Sequence, residues 1–243
     1  MAPMRLYAGT SGFSYDAWRG SFYPKDLPKS GMLAWFAEHL PAVEVNNTFY
    51  RMPTARLLET WSESVPESFR FAIKAPRRIT HVKRLKEVAE EVTYLFDALR
   101  ALGGRLGVVL FQLPPSFRKD LERLDRFLEL VPGATRVAME FRHPTWLEAD
   151  VEGRLAERGV ALCVVDADEA EGRAAFLADQ GTRAGAESFG YLRLRRMRYG
   201  DGDLEDWLAA MRARSWEEAF VFFKHEDEGT GPALAARLLE IAS

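Results

Sequence analysis

The residues able to do chemistry fall at the ends of short apolar runs. "AVEVNN" carries Glu44 and Asn46, "RFAIK" ends in Lys74, and "LGVVLFQ" ends in Gln112. "RVAMEF" carries Glu140 and leads into Arg142 and His143, and "VALCVVD" ends in Asp166. "GYLRLR" holds Arg193 and Arg195, and "AFVFFK" ends in Lys224. Glu140 or Glu44 could act as a general base with His143 as its acid-base partner. Lys74 could act as an electrophile or oxyanion stabiliser, or as a Schiff-base amine if desolvated. Arg142, Arg193 and Arg195 suit bidentate contact with phosphate or carboxylate.

The local charge supports that last reading. Five cations (Lys74, Arg142, Arg193, Arg195, Lys224) face three carboxylates (Glu44, Glu140, Asp166) in a chain of formal net charge −3. A net-positive cleft on a net-negative protein favours a small anionic ligand such as a phosphate or a carboxylate, because a cleft concentrates its own field. Pairing of these groups across the cleft is compatible with ligand binding.

Three histidines also follow such runs, at His81, His143 and His225, whereas His39 in "FAEHL" reads as an ordinary helix residue. With Glu44, Glu140 and Asp166 they define an alternative, a metal-dependent hydrolase or phosphoesterase. No HxH or HExxH spacing supports it and the surrounding cations oppose it, so no metal and no cofactor is expected. A non-catalytic ligand-binding protein is the third possibility. Aromatic residues crowd two of the loops, with Trp18 in "GFSYDAWRGSFYP" and Tyr50 in "NNTFYRMP". They can line a pocket and stack on a ligand, or plug the rim.

Something must position these groups. The runs above, with "RLYAGT" near the start, make eight strand-like segments separated by helical periodicity. In "KEVAEEVTYLFDALRAL" Val88, Val92, Leu95, Phe96, Leu99 and Leu102 share one face before Gly103 and Gly104. A second stripe runs from Leu121 to Val131, and further helices are expected at 31–40, 54–63, 145–158, 203–213 and 230–242. The gap from Asp168 to Ser188 gives the weakest helical signal. Eight such units in 243 residues predict an α/β fold, a single (β/α)8 TIM barrel over 1–243. An open doubly wound sheet is the rival, but "GTSGFS" lacks the glycine-rich dinucleotide fingerprint.

Active sites of parallel barrels lie at the carboxyl ends of the strands. Strand alternation then aims the polar residues into the mouth, while Val45, Ile73, Phe111, Met139, Phe141, Val165, Leu192, Leu194 and Phe223 press against the helices. Composition narrows the rest. At 47% hydrophobic the chain can bury a sizeable core, and no run is long and apolar enough for a signal peptide or a membrane span, so a cytoplasmic location is expected. Its mild acidity argues against general nucleic-acid binding. Cys163, the one cysteine, excludes an intrachain disulfide and reads as a core thiol. The oligomeric state stays open.

Five segments in order, "GTSGFSYDAWRGSFYP", "VEVNNTFYRMP", "FAIKAPRRITH", "GVVLFQLPPSF" and "MEFRHPTW", resemble the YecE-like family, also called domain of unknown function 72. The resemblance implies a TIM barrel of about this length and brings no reaction. By motif it marks Thr10, Ser11, Tyr15, Trp18, Glu44, Asn46, Thr48, Tyr50, Lys74, His81, Gln112, Glu140, Arg142, His143 and Asp166 as characteristic positions, and it adds Thr10 to the expected substrate-binding set. Phe13 stands where many members have Trp. The segment "KHEDEGTGP" after the last strand departs from an Asn-rich stretch, which leaves the role of Lys224 to Asp227 open.

Overall fold

In a computed structural model, which describes residues 4–167 and 188–243, the alternation resolves into parallel strands wrapped by helices. The strands are β1 (Arg5–Ser11), β2 (Ala42–Val45), β3 (Arg70–Lys74), β4 (Leu106–Gln112), β5 (Val137–Glu140), β6 (Ala161–Leu162), β7 (Val164–Asp166), β8 (Phe189–Leu194) and β9 (Glu218–Phe223). Among the described residues they form one nine-stranded sheet in the order β6-β5-β4-β3-β2-β1-β9-β8-β7. The two end strands are consecutive in the chain. They are one expected strand divided at Cys163, whose first part pairs with β5 and whose second part pairs with β8. The Cys163 amide still donates to the Met139 carbonyl at 2.8 Å, so the chain itself joins the edges of a nearly closed ring. Nine strands therefore make eight staves, the expected TIM barrel.

The helices are local consequences of the sequence. Thr54 caps Ala55–Glu63 by accepting from the Leu57 amide, and Asp120 caps Leu121–Leu128 by accepting from the Arg123 amide. The helix Ala89–Leu99 buries Val92, Leu95, Phe96 and Leu99, the stripe read from the sequence, and the chain turns away at Gly103 with φ 52°. The helix expected between Asp168 and Ser188 falls on 168–187, outside the described residues. No helix among the described residues is long and apolar enough to cross a membrane.

Two apolar layers result. Side chains such as Val43, Ile73, Phe111, Met139 and Leu192 pack between strands and helices, while Tyr7, Ala42, Ala72, Leu110, Ala138, Tyr191, Phe220 and Phe222 fill the barrel. Small and large residues alternate inside, with Tyr7 stacked on Phe220 at 4.9 Å and Tyr191 against Phe222 at 5.4 Å. Gly9 is needed for the close pass of β1 along β2, because a β-carbon there would lie 1.8 Å from the Ala42 carbonyl oxygen. This filling closes the barrel below and leaves the polar ends of the strands as its upper layer.

Candidate active site

Strand parity carries Ser11, Glu44, Lys74, Gln112, Glu140 and Arg193 into that upper layer, and all six are buried. Two carboxylates from strands on opposite sides of the ring need a shared counter-ion, and Arg193 of β8 supplies it. Its Nη2 lies 2.6 Å from Glu44 Oε1 and its Nη1 2.7 Å from Glu140 Oε2. Glu44 also accepts from Ser11 Oγ and from the Tyr191 hydroxyl at 2.7 Å, and Asn46 Nδ2 donates to Ser11 Oγ at 2.9 Å. Glu140 accepts from Gln112 Nε2 at 2.7 Å and from Arg142 Nε at 3.1 Å, with Arg195 Nη2 more distant at 3.7 Å.

These contacts decide the charge states. Burial alone would push both carboxyls up, but Arg193, then the hydrogen bonds from Ser11 and Tyr191 for Glu44 and the Arg142 charge for Glu140, outweigh it. Both carboxyls are held below the usual carboxylate range. The Tyr191 hydroxyl is driven well above its ordinary value by burial and by the Glu44 charge, so it stays a proton donor. The carboxylates are locked as anions by groups that surround them.

Lys74 is in the opposite position. It is only 9% exposed, yet no carboxylate oxygen of the described residues lies within 4.0 Å of its Nζ. Its ammonium sits over the Phe49 ring, 4.3 Å from the centroid. Burial first, and then the neighbouring Arg193, bring its pKa down to about 8. His81 packs edge-on to the same Phe49 ring at 4.9 Å, and burial together with Lys74 and Arg142 lowers it to about 4. It is therefore neutral at neutral pH. Arg195 adds a second unsatisfied donor, since its Nε is buried and bonds to no described atom.

The backbone at Lys74 is held from the loop after β2. Thr48 is buried, and its hydroxyl reaches the Lys74 carbonyl at 2.7 Å and the Val45 carbonyl at 3.1 Å. Thr48→Val, of equal shape, leaves those acceptors short of a donor. It is expected to cost about 1–3 kcal/mol in chemical denaturation; a loss within experimental error would show that the tie is unimportant.

Several expected positions lie elsewhere. Asp166 was expected to face the mouth and Val165 the helices, and the reverse holds. Ala161 is paired with the inward Ala138, so alternation turns Cys163 and Val165 inward and Asp166 outward, where Arg196 Nε meets it at 3.0 Å. Thr10 also faces the helices. Its hydroxyl donates to the Gly12 carbonyl at 2.5 Å, and its methyl lies near Gly231. Trp18 is fully buried within an aromatic cluster with Tyr15, Phe22 and Tyr23, so it belongs to a plug rather than an open wall. Tyr50 is 75% exposed and Lys224 is exposed, both on the rim.

His143 makes no hydrogen bond to Glu140 among the described residues. Its Nδ1 accepts from the Thr145 amide at 3.2 Å and caps the short turn Pro144–Trp146, which places the proton of the neutral ring on Nε2. Arg193 is enclosed by the two glutamates and has no role as a free clamp, while Arg142 and Arg195 keep partial exposure. The alternative metal set does not converge. His225 Nε2 is bonded to the Arg196 carbonyl at 2.6 Å, and no three His, Cys, Asp or Glu side chains among the described residues could hold an ion. Cys163 is buried, and burial pushes its thiol up.

Three participants were missed from the expected site. Tyr191 stands two residues before Arg193 on one strand and so shares its face, a signal already present in "GYLRLR". Ser11 ends β1 with the same parity, although the motif reading named it only as characteristic. Phe49 shares the aromatic loop of Tyr50, expected to line a pocket or plug the rim, but only the loop's short helical turn, Asn47–Tyr50, sets its ring beneath Lys74.

Comparison with known proteins places this architecture. A family model described as "Protein of unknown function DUF72" matches residues 7–243. The chain is 32% identical over 126 residues to protein YecE of Escherichia coli (strain K12), covering 51% of this chain and 46% of that one. It is 30% identical over 150 residues to protein YunF of Bacillus subtilis (strain 168), covering 58% and 52%. It thus spans about half the length of the curated relatives it matches. A crystal structure of a DUF72 family protein from Thermotoga maritima MSB8 is similar over 98% of both chains, with TM-score 0.77 and 26% identity. A DUF72 family protein from Enterococcus faecalis V583 shares the fold at TM-score 0.73 and 18% identity, over 98% of this chain and 97% of that one.

Proposed function

Because the chain belongs to the DUF72 family, whose description names no reaction, we propose from the geometry that it is an enzyme performing acid-base chemistry on a small phosphorylated or carboxylated substrate at the barrel mouth. The observation that carries this reading is Lys74, a buried ammonium without a carboxylate partner among the described residues. A buried charge is costly unless it is paired. Here the two nearby carboxylates are already engaged by Arg193, and the partly exposed Arg142 and Arg195, whose Nε is unsatisfied, both stand against Glu140. An anion is the group this arrangement lacks.

The acid-base role passes from the glutamates to Lys74. A carboxylate held below its usual range is a weak base near neutral pH, whereas an amine that titrates at about 8 can both give and take a proton there. Glu44, Glu140 and Arg193 then act as the frame that fixes the mouth. A buried triad of this kind is often no more stable than apolar packing of the same volume, so its use here is better explained by positioning than by stability.

Sulfate is a suitable probe, since its charge does not change in the relevant range. It is expected to raise the melting temperature below pH 8 and to lose much of that effect as pH rises through about 8, where Lys74 gives up its proton and Arg142 and Arg195 are left to hold the anion. Inorganic phosphate and small carboxylates should also stabilise the protein. Absence of stabilisation by any anion, or equal stabilisation of Lys74→Met, would overturn the reading.

A further inference from the structure

We infer that Lys74 is a covalent catalyst, condensing through its Nζ with the carbonyl carbon of an anionic aldehyde or ketone to form a Schiff base. This deepens the proposed function and rests on its anion site.

Three features of the site set this lysine apart. First, Nζ is shielded but not tied: it lies over the Phe49 ring and has no ion-pair or hydrogen-bond partner among the described residues. An amine that is to attack carbon needs a free lone pair, and a lysine salt-bridged to a carboxylate lacks one. Here Arg193 keeps Glu44 and Glu140 occupied, so the usual partner is withheld by construction. Second, burial and the Arg193 charge lower the pKa to about 8, so a useful fraction of the amine is neutral near neutral pH. Third, Arg142 and Arg195 both reach Glu140 and keep partial exposure, and the Arg142 charge acts on Lys74, so the pair can hold the anionic end of the same molecule while its carbonyl meets the amine. Those two contacts would pre-orient the bimolecular step.

The step balances without any further reagent. The Nζ lone pair adds to the carbonyl carbon while the carbonyl π pair takes up a proton, and the resulting carbinolamine is neutral once nitrogen has lost its own proton. Protonation of the new hydroxyl lets it leave as water, and the nitrogen lone pair forms the iminium bond. His81, neutral and packed on the same Phe49 ring, is a group able to carry a proton between solvent and this position. Thr48, bonded to the Lys74 carbonyl, keeps the lysine backbone still while the side chain acts. The iminium then serves as an electron sink for proton removal or carbon–carbon cleavage next to it.

Borohydride trapping on the full chain tests the inference. The protein is incubated with pyruvate or with dihydroxyacetone phosphate, reduced, digested and mapped by mass spectrometry. The expected result is a gain on the peptide containing Lys74 equal to the carbonyl compound less one oxygen atom. The more efficient of the two probes distinguishes a carboxylate from a phosphate as the anionic end. Lactate and glycerol phosphate, which carry the anion without the carbonyl, should compete with trapping and leave no adduct. Lys74→Arg, which keeps the charge, should retain anion binding and lose the adduct.

Two results would overturn it in distinguishable ways. Stabilisation by the anions with no adduct on Lys74 means the lysine acts only as a cation, and the proposed anion site stands. No stabilisation and no adduct removes both. Equal labelling of Lys74 and of surface lysines such as Lys25 and Lys86 would also overturn it, because the adduct would then report only general amine reactivity.

Discussion

Arg193→Met is expected to cost about 3–5 kcal/mol, a large share of the roughly 5–15 kcal/mol that holds an ordinary domain together. The guanidinium is the shared counter-ion of Glu44 and Glu140, at 2.6 and 2.7 Å, and all three side chains are nearly without solvent contact. Removing it strands two buried carboxylates facing each other. Arg142 and the more distant Arg195 partly compensate Glu140, whereas among the described residues Glu44 retains only neutral donors within hydrogen-bond reach. The triple variant Arg193→Met, Glu44→Gln, Glu140→Gln removes the stranded charges and should recover most of the loss.

The pH dependence gives a second check. In the native protein both carboxyls sit below their usual range, so their contribution to stability is present above that range and is lost as pH falls through the depressed values. In Arg193→Met burial dominates and raises both, so protonation relieves the strain and the variant gains stability toward acid. The two denaturation profiles should therefore converge at mildly acidic pH. A variant within about 1 kcal/mol of the native protein at neutral pH would show that water replaces the guanidinium and that the triad is not the frame of the mouth.

Lys74→Met is expected to do the reverse of a typical core substitution, weakening anion binding while making the protein more stable. An ordinary lysine keeps its proton to 10.5, whereas folding moves this one to about 8. That difference costs about 3 kcal/mol at neutral pH. Loss of the contact with Phe49 returns about 1 kcal/mol, which leaves a net gain of about 2 kcal/mol. Between about 8 and 10.5 the unfolded chain holds more protons than the folded one. Native stability therefore rises with pH across that window, and the cost is fully present only below it. Lys74→Met should show no such rise from this site. If Lys74→Met is destabilised and its pH profile parallels the native one, the ammonium has a partner and the anion argument fails.

Much of this was legible from residue order alone. Period-two alternation with apolar runs placed Glu44, Lys74, Gln112, Glu140 and Arg193 at strand ends on the inward face, because side-chain direction in a strand is a local property. The same rule failed at Asp166. The run "VALCVVD" carries apolar residues on both faces and offers no contrast to set its parity, so only pairing with β5 decides it. Trp18 and Tyr50 came from equally aromatic loops, and nothing in their composition separates a buried plug residue from one that is 75% exposed.

Local periodicity and strand-end position suffice for the barrel, its staves and most of the side chains that point into it. Which charges pair is set by closure of the ring. Ring closure brings β8 between the carboxylates of β2 and β5, and one arginine satisfies both. That choice leaves Lys74 buried without a carboxylate partner among the described residues. Charge pairing depends on distances of a few ångströms between strands separated by as many as 149 residues, a quantity that no local pattern encodes.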